Sequence, residues 1–409
     1  MYTTMRGINT RLQKEAIEFT QRMIQTPSPS LREGAMTELV EQEMEKVGYD
    51  RVMHDSYGNV IGILDGQNSQ PTVLLNCHLD TVLPNSAGSW KQSPYSGHIV
   101  NDRLYGLGSS DCKAGLSSQI YAGALLNQSL LPLQGSLVVT ATVAEENGHS
   151  VGVRTLLERT LPELGIKPTY AILGEPTKLG LYYGHDGWME IDIHVRNGKS
   201  SWVQGTAHAV FQQLQEYVDN DQTLGHNEEW QMYPPSLDDE DTQHHAIIRL
   251  NHRLRPGEDV DGVMNRIRQG VDPVTSVCDD LVVDVQVREE PQQLFTGQQL
   301  TVRHVVPPWS TDPFHPLIER ARNALSAADC EVRTGTWRLT RLGMGTAGSL
   351  LVTEFGIPTI GYGPGDEMMA HAVDEYVEVG KIAEAIYGTA SIIHSLIGIP
   401  VYGWTSDEI

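Results

Sequence analysis

Cysteine is scarce in this chain, which has only four among 409 residues: Cys77, Cys112, Cys278 and Cys330. They are widely spaced and none forms a CxxC pair. This spacing does not resemble the disulfide framework of a small secreted domain, and it favours reduced thiols. We therefore expect a cytoplasmic protein.

Long apolar runs and an excess of basic charge are also missing. No segment approaches the roughly 18 consecutive apolar residues of a membrane-spanning helix, and residues 1–19 lack the apolar core of a signal peptide. The 29 Lys and Arg residues are outnumbered by 52 Asp and Glu residues, which gives a formal net charge of −23. Because so acidic a chain repels phosphate backbones and anionic bilayers, we expect neither a nucleic-acid nor a membrane partner.

What the chain does contain is typical of a globular protein. Hydrophobic residues make up 40% and charged residues 20% of the sequence, which excludes disordered and fibrous classes. Helix-like and strand-like segments alternate in the first part of the chain, which predicts an α/β layer on a partly parallel sheet. The segments concerned are a helix within 33–47, strands at 60–64, 73–75, 136–143 and 170–173, and a helix that begins near 113.

The middle of the chain has a different pattern. Apolar residues alternate strictly over 189–195, as in a strand with one wet face. With one further strand before His244, the segments that follow have the β-α-β-β-α-β order of a ferredoxin-like unit. We therefore predict a discontinuous main domain, residues 1–185 and 303–409, with a small α+β domain of residues 186–302 inserted into it.

Acidic and imidazole side chains follow the ends of several predicted strands, where open α/β sheets bind their ligands. They are His78, Asp80, Asp111, Glu145, Glu146, Glu175 and His371. Zinc takes imidazole nitrogen and carboxylate oxygen as ligands, and a pair of metal ions needs about five of them. Each motif alone also fits an ordinary turn or a solvated surface, and only the ordered set predicts a metal site.

The spacing within the set suggests roles. Asp80 is placed to orient the imidazole of His78, two residues away. Glu145 and Glu146 are adjacent, so one can bind metal while the other stays free to take a proton from water. We expect Cys112 to point into the core, and His149 to lie at the surface or at a helix start.

The motifs resemble those of a known family. LLNCHLDTV, YGLGSSDCKAG, TATVAEENG, ILGEPT and GPGDEMMAHAVDE occur in the order found in the zinc metallopeptidases and amidohydrolases. That family includes acetylornithine deacetylase, succinyl-diaminopimelate desuccinylase, aminoacylase and glutamate carboxypeptidase. EMEKVGYDRV and GIPTIGYGPG look closest to its selenium-metabolism hydrolase branch. The resemblance implies a main domain with a mixed sheet and helices on both faces, plus an inserted lid and dimerisation domain.

Residue by residue, the resemblance implies two Zn²⁺ ions per chain, with Co²⁺ or Mn²⁺ as substitutes. Asp111 would bridge the ions, His78 and Glu175 would complete one site, and Glu146 and His371 the other. Glu145 would be the general base and Asp80 the partner of His78. The implied reaction is hydrolysis of an amide bond in a small substrate with a free carboxylate, by a homodimer that pairs through the lid.

Two positions depart from the family pattern. Residues 198–202 read GKSSW, so Trp202 stands where the lid histidine that holds the oxyanion is expected, and residues 345–349 read GTAGS in place of a GTDAR-like loop. Trp202 lines a substrate pocket or is buried in the lid core or a dimer contact. His208 and Arg253 are alternative donors, and Arg253 and Arg341 are candidates to bind the substrate carboxylate or are ordinary surface arginines.

Three hypotheses therefore remain. The first is an N-acyl amino acid or dipeptide hydrolase with altered lid chemistry. The second is a biosynthetic amidohydrolase whose unusual substrate is selected by Trp202. The third is a catalytically impaired homologue that binds a ligand, against which the retained Glu145 argues.

Overall fold

A computed structural model of the protein describes residues 2–84, 90–147, 149–197, 200–220, 229–237, 244–275, 282–338 and 344–399. Arg341 lies outside these ranges. The helices are α1 (Tyr2–Gln25), α2 (Gly34–Lys46), α3 (Ala114–Ser129), α4 (Val151–Thr155), α5 (Leu161–Glu163), α6 (Ser200–Asn220), α7 (Val260–Thr275), α8 (Pro316–Ala327), α9 (Gly348–Thr353) and α10 (Val379–Ile397). Within these ranges no helix is long and apolar enough to cross a membrane.

The strands form one large sheet and several smaller ones. They are β1 (Arg51–His54), β2 (Val60–Leu64), β3 (Thr72–His78), β4 (His98–Val100), β5 (Arg103–Tyr105), β6 (Ser136–Thr142), β7 (Tyr170–Leu173), β8 (Leu181–Tyr182), β9 (Gly184–His185), β10 (Gly187–Asn197), β11 (Glu229–Leu237), β12 (His244–Leu254), β13 (Val282–Val287), β14 (Glu289–Gln293), β15 (Gln299–Arg303), β16 (Val305–Val306), β17 (Trp309–Ser310), β18 (Thr334–Gly335), β19 (Thr359–Gly361) and β20 (Tyr376–Glu378).

The large sheet has eight strands in the order β1-β2-β6-β3-β7-β19-β8-β18. Its four central strands, β6-β3-β7-β19, are parallel to one another. On one side of them β2 pairs antiparallel with β6 and β1 with β2, and on the other side β8 pairs antiparallel with β19. The sheet is therefore mixed, as the sequence predicts. Because the four central strands run in one direction, their carboxyl ends share one edge.

Both faces of this sheet are buried, which explains the continuous apolar runs of its strands. Along β3, the side chains of Val73 and Leu75 pack in one apolar cluster with α1, α3, α8 and α10, while Leu74 packs in a second cluster with α9. Helices thus cover both faces, and the predicted fold class of the main domain is confirmed.

A second sheet has the order β11-β12-β10-β13, with β16 paired to β10. Its strands and the helices α6 and α7 follow the order β-α-β-β-α-β, so the arrangement is ferredoxin-like. The further strand expected before His244 is present as β11. The alternating residues Met189, Ile191 and Ile193 pack on the helices in an apolar cluster of their own. The domain limits at 186 and 302 stay a prediction.

Candidate metal and active site

The predicted site residues meet at the carboxyl edge of the central strands. His78 is the last residue of β3, and the strand register places it beside Thr142 at the end of β6, which the Glu145–Glu146 pair follows. Glu175 follows β7 by two residues, and His371 follows β19. Asp111 belongs to the turn Ser109–Lys113 that leads into α3. Strand direction thus brings together side chains that are distant in sequence.

Asp111 lies between the two histidines of the cluster. Its Oδ1 is 3.2 Å from His78 Nε2, and its Oδ2 is 3.8 Å from His371 Nε2. Glu175 Oε2 lies 3.9 Å from His78 Nε2, and Glu146 Oε2 lies 2.9 Å from His371 Nε2. One carboxylate therefore belongs to two ligand groups, one with His78 and Glu175, the other with Glu146 and His371.

Cys112 lies in the first of these groups, since its sulfur is within 4.8 Å of the donor atoms of His78, Asp111 and Glu175. Its thiol is fully buried, as expected of a core residue, yet it also faces the cluster. Its sulfur is 3.4 Å from the backbone nitrogen of His78. Burial raises the pKa of the Cys112 thiol well above its ordinary value, which keeps it protonated.

The cluster concentrates negative charge in a buried place. Burial, and then the nearby charges of the other acidic groups, raises the pKa of Glu145 to about 8 and that of Glu175 well above its ordinary value. Against the effect of burial, Glu146 raises the pKa of His371 to about 9. Buried Lys113 does not supply the missing charge, because its ammonium donates to the carbonyls of Met23 and Thr26.

The donor set fits a divalent metal pair. Buried carboxylates repel one another unless a cation neutralises them, and imidazole nitrogen with carboxylate oxygen is the ligand chemistry of zinc. Each of the two groups offers at least three donor atoms.

Asp80 holds the loop that carries the two glutamates. Its Oδ1 accepts the backbone N–H of Glu145 at 3.1 Å, and its Oδ2 accepts that of Glu146 at 3.0 Å and the hydroxyl of Ser30 at 2.6 Å. His78 Nδ1 lies 2.9 Å from the backbone oxygen of Asp80 and 3.5 Å from its carboxylate. The expected partnership with His78 is therefore mainly a main-chain contact, and the carboxylate chiefly positions residues 145 and 146.

Two further buried glutamates support the site and were not identified from the sequence. Glu375 accepts the backbone N–H groups of Gly108, Ser110 and Asp111, and so holds the turn of the bridging carboxylate. Glu33 accepts the backbone N–H of Ala144, directly before Glu145. The only signal for Glu375 was its place in the GPGDEMMAHAVDE motif, and nothing in the sequence marks Glu33.

A cavity opens beside the cluster. Its walls contain four of the ligand candidates and Glu145, together with His149, Ser150, Val306 and the segment 344–346, and the four are Asp111, Glu146, Glu175 and His371. The adjoining lobe is lined by Pro176, Trp337 and Glu367. Ser150 Oγ donates to Glu145 Oε1 at 3.2 Å. His149 lies directly before the N-cap of α4, as expected, but it is half-buried and faces this cavity.

Three predicted substrate-contacting residues, Trp202, His208 and Arg253, lie elsewhere in the described part of the chain, whereas Arg341 lies outside it. Trp202 and His208 are exposed on α6, and Trp202 retains 50% of its accessible surface. Arg253 is half-buried on β12, 3.6 Å from Asp186. None of these three is among the residues that line the cavity. The exposure of Trp202 is incompatible with burial in the lid core of its own chain.

The chain is similar to known proteins over most of its length. The YgeY protein of Escherichia coli K12 is 28% identical over 380 residues, which covers 89% of this chain and 90% of that protein. The di-peptidase Dug1p of Saccharomyces cerevisiae has the same fold, with a TM-score of 0.70, 13% identity and coverage of 97% of this chain and 98% of that one.

A second solved structure, the YXEP protein of Bacillus subtilis, is described as a dinuclear metal binding peptidase from the M20 family. It superposes with a TM-score of 0.67 at 13% identity and covers 94% of this chain and 98% of its own. The family model for Peptidase family M20/M25/M40 matches residues 74–395. This span contains all five candidate metal ligands as well as Glu145, and the chain belongs to the peptidase family M20/M25/M40.

Proposed function

We propose that the protein is a dinuclear zinc amidohydrolase that cleaves the amide bond of an N-acyl amino acid or a dipeptide-like substrate with a free carboxylate. The observation that carries this proposal is the position of Asp111, whose two carboxylate oxygens face His78 and His371 separately. A carboxylate shared by two such groups is suited to a metal pair, since each of its oxygens is available to one ion.

In this proposal His78 and Glu175 would hold one ion, Glu146 and His371 would hold the other, and Asp111 would contribute to both groups. When bound, such ions lower the pKa of water and polarise the scissile carbonyl. Glu375 keeps Asp111 in place through the three backbone N–H groups that it accepts.

Glu145 is the proposed general base. It lies in the same cavity as the ligand candidates but belongs to neither ligand group, so its carboxylate is available for proton transfer. It takes a proton from the attacking water and delivers it to the leaving amine. Ser150 Oγ orients Oε1 of Glu145, and Asp80 fixes its backbone.

Two further parts of the proposal concern assembly and location. We infer a homodimer that pairs through the inserted domain of residues 186–302, and a cytoplasmic location. Support for the location comes from the thiols, since Cys77, Cys112 and Cys330 form no disulfide within the described residues. The exposure of Trp202 favours a contact of this side chain with a second copy of the chain or with substrate over a role in the core.

Metal analysis combined with a hydrolysis screen tests the proposed function. We expect close to two zinc-like ions per chain, and hydrolysis of at least one member of a panel of N-acetyl, N-succinyl, N-carbamoyl and dipeptide compounds. Asp111→Ala should lose both ions and all activity, whereas Asp65→Asn, in an exposed ion pair with Arg51, should keep both. Absence of divalent metal even after reconstitution would refute the site.

A further inference from the structure

His149 and His304 form a pair that connects the cavity to a charged group on its outer side. His149 Nε2 lies 2.9 Å from His304 Nδ1, and the two rings meet edge to face at a centroid distance of 4.5 Å. The indole of Trp188 contacts the His149 ring in the same manner at 4.8 Å. His149 faces the cavity, whereas His304, 155 residues further along the chain, is 6% exposed and does not line it.

Charged side chains surround His304 on its other sides. Its Nε2 lies 3.4 Å from Glu290 Oε2, and its Nδ1 lies 3.6 Å from Glu190 Oε2. Arg288 forms ion pairs with both glutamates. Burial lowers the pKa of His304, and burial together with the nearby charge of Arg288 lowers the pKa of His149 to about 3, so both rings are neutral at physiological pH.

The charges around His304 favour one arrangement of protons in the neutral pair, although His304 Nε2 makes no hydrogen bond within the described residues and only lies near the Glu290 carboxylate. If His304 carries its proton on Nε2, that N–H faces the Glu290 carboxylate, and Nδ1 accepts the Nε2–H of His149. If His304 carries its proton on Nδ1, its Nε2 lone pair faces the same carboxylate without a donor, which is unfavourable. In the first arrangement the proton of His149 is on Nε2. Its Nδ1 is therefore unprotonated and can accept a hydrogen bond, on a ring that lines the cavity.

We propose that His149 is a specificity-determining residue, whose Nδ1 accepts a hydrogen bond from an N–H group of the substrate, and that His304 is the positioning residue that sets its tautomer. The class of substrate this favours has an amino, amide or ureido N–H beside the scissile amide. The substrate contact of His149 rests on the proposed amide hydrolysis. The tautomer of His149 is a property of the protein alone and does not depend on it.

Nitrogen NMR tests the tautomer independently of activity. Long-range ¹H–¹⁵N correlation spectra of histidine-labelled, zinc-loaded protein at pH 7.5 should show His149 with the proton on Nε2 and a lone pair on Nδ1. The signal is assigned by its loss in His149→Phe, which keeps a ring against Trp188. In His304→Phe the signal should shift towards a mixture of tautomers. A proton on Nδ1, or a cationic ring, in the wild-type protein would overturn the proposal.

Two substrate pairs test the contact with substrate. N-carbamoyl and N-acetyl amino acids differ by NH₂ against CH₃ on the acyl side, and N-acetyl-2,3-diaminopropionate and N-acetyl-2-aminobutyrate differ in the same way on the amine side. For at least one of the two pairs, we expect the preference in kcat/KM for the N–H compound to be about tenfold smaller in His149→Phe than in the wild-type protein. A change of about tenfold corresponds to the loss of one hydrogen bond. His98→Phe, which removes an exposed histidine, should leave the preference unchanged.

The outcomes separate this inference from the proposed function. The acceptor role would be contradicted if the wild-type protein and His149→Phe had equal preferences for both substrate pairs. Loss of metal from His149→Phe would contradict it as well. If the wild-type protein hydrolyses none of the four compounds, the proposed function fails on these substrates, and the NMR result still decides the tautomer.

Discussion

The backbone N–H of Glu145 donates to Oδ1 of Asp80 at 3.1 Å. The same carboxylate accepts the N–H of Glu146, so the aspartate of the HxD motif fixes both the proposed base and a proposed metal ligand. Asp80 is fully buried, and its pKa is lowered because the nearby His78 ring and the hydrogen bonds from Ser30 and Glu145 outweigh the opposing effect of burial. Asp80 thus couples the His78 side of the site to the Glu145 side.

The first prediction concerns this coupling. Asp80→Asn keeps the shape of the side chain but has only one accepting oxygen, so it cannot hold Ser30, Glu145 and Glu146 together. We expect kcat/KM to fall by about 10–100-fold, the usual effect of losing a group that orients metal ligands. Asp65→Asn serves as the matched control, because Asp65 is exposed and paired with Arg51. Unchanged kinetics in Asp80→Asn would show that the three contacts do not position the site.

A second prediction separates the roles of the two adjacent glutamates. Glu145→Gln removes the proton acceptor and leaves both ligand groups, so metal content should persist while kcat falls by about 10²–10⁴. Glu146→Gln alters a ligand group and should lose metal from it. Elemental analysis and steady-state kinetics of both variants provide the comparison. If Glu145→Gln loses metal, Glu145 is a ligand and not the base.

The fold was predictable where the strands have clear ends. The strands at 60–64 and 170–173 were predicted at their observed limits, because each is a short β-branched or aliphatic run between turn residues. The helix α10 was not predicted. Every residue from 385 to 394 is buried, including Gly388, Thr389 and Ser391, so over this stretch burial does not follow the helical spacing of the apolar residues.

The helix α1 was missed for a different reason. Its buried residues Met5, Ile8, Leu12 and Ala16 have helical spacing, so the signal is present in the sequence, but the test for a signal peptide asks only for an apolar core and does not reveal this spacing.

Within the site, chain order suggests the candidate ligands, because each stands at a strand end or in a loop that follows one. It could not identify groups that act through distant backbone atoms. Glu33 accepts the N–H of Ala144, and Glu375 that of Ser110, across 111 and 265 residues. The contact of His149 with His304 is also long-range. Such contacts depend on tertiary packing, and residue types at local spacings do not reveal them.

The third prediction concerns assembly. We expect light scattering at micromolar concentration to give about twice the chain mass of 45.2 kDa. Half-exposed Trp202 on α6 offers an apolar contact to a second copy, so Trp202→Glu should shift the protein towards the monomer. Leu130→Glu is the control, since Leu130 is 86% exposed beyond the end of α3, outside the inserted domain. A wild-type mass equal to one chain would contradict the dimer.

The last prediction uses the pH dependence of stability at Glu33. Burial, and then the charge of Asp80, raises the pKa of Glu33 to about 7 from an ordinary 4.5. Because the folded state then binds more protons than the unfolded state between these values, ionised Glu33 lowers stability progressively as pH rises from about 4.5 through 7. Its Oε1 accepts the N–H groups of Leu31 and Ala144, while Oε2 has no hydrogen-bond partner within the described residues.

Glu33→Gln keeps an accepting oxygen for Leu31 and Ala144 and removes the charge. We therefore expect the variant to gain stability relative to wild type by on the order of 2 kcal/mol between pH 5 and pH 8, since each pKa unit corresponds to about 1.4 kcal/mol. Chemical denaturation of metal-loaded protein at both pH values measures the difference. Glu38→Gln, at an exposed position on α2, the helix that follows Glu33, should show no such trend. An equal difference between variant and wild type at both pH values would mean that Glu33 does not change its protonation over this range.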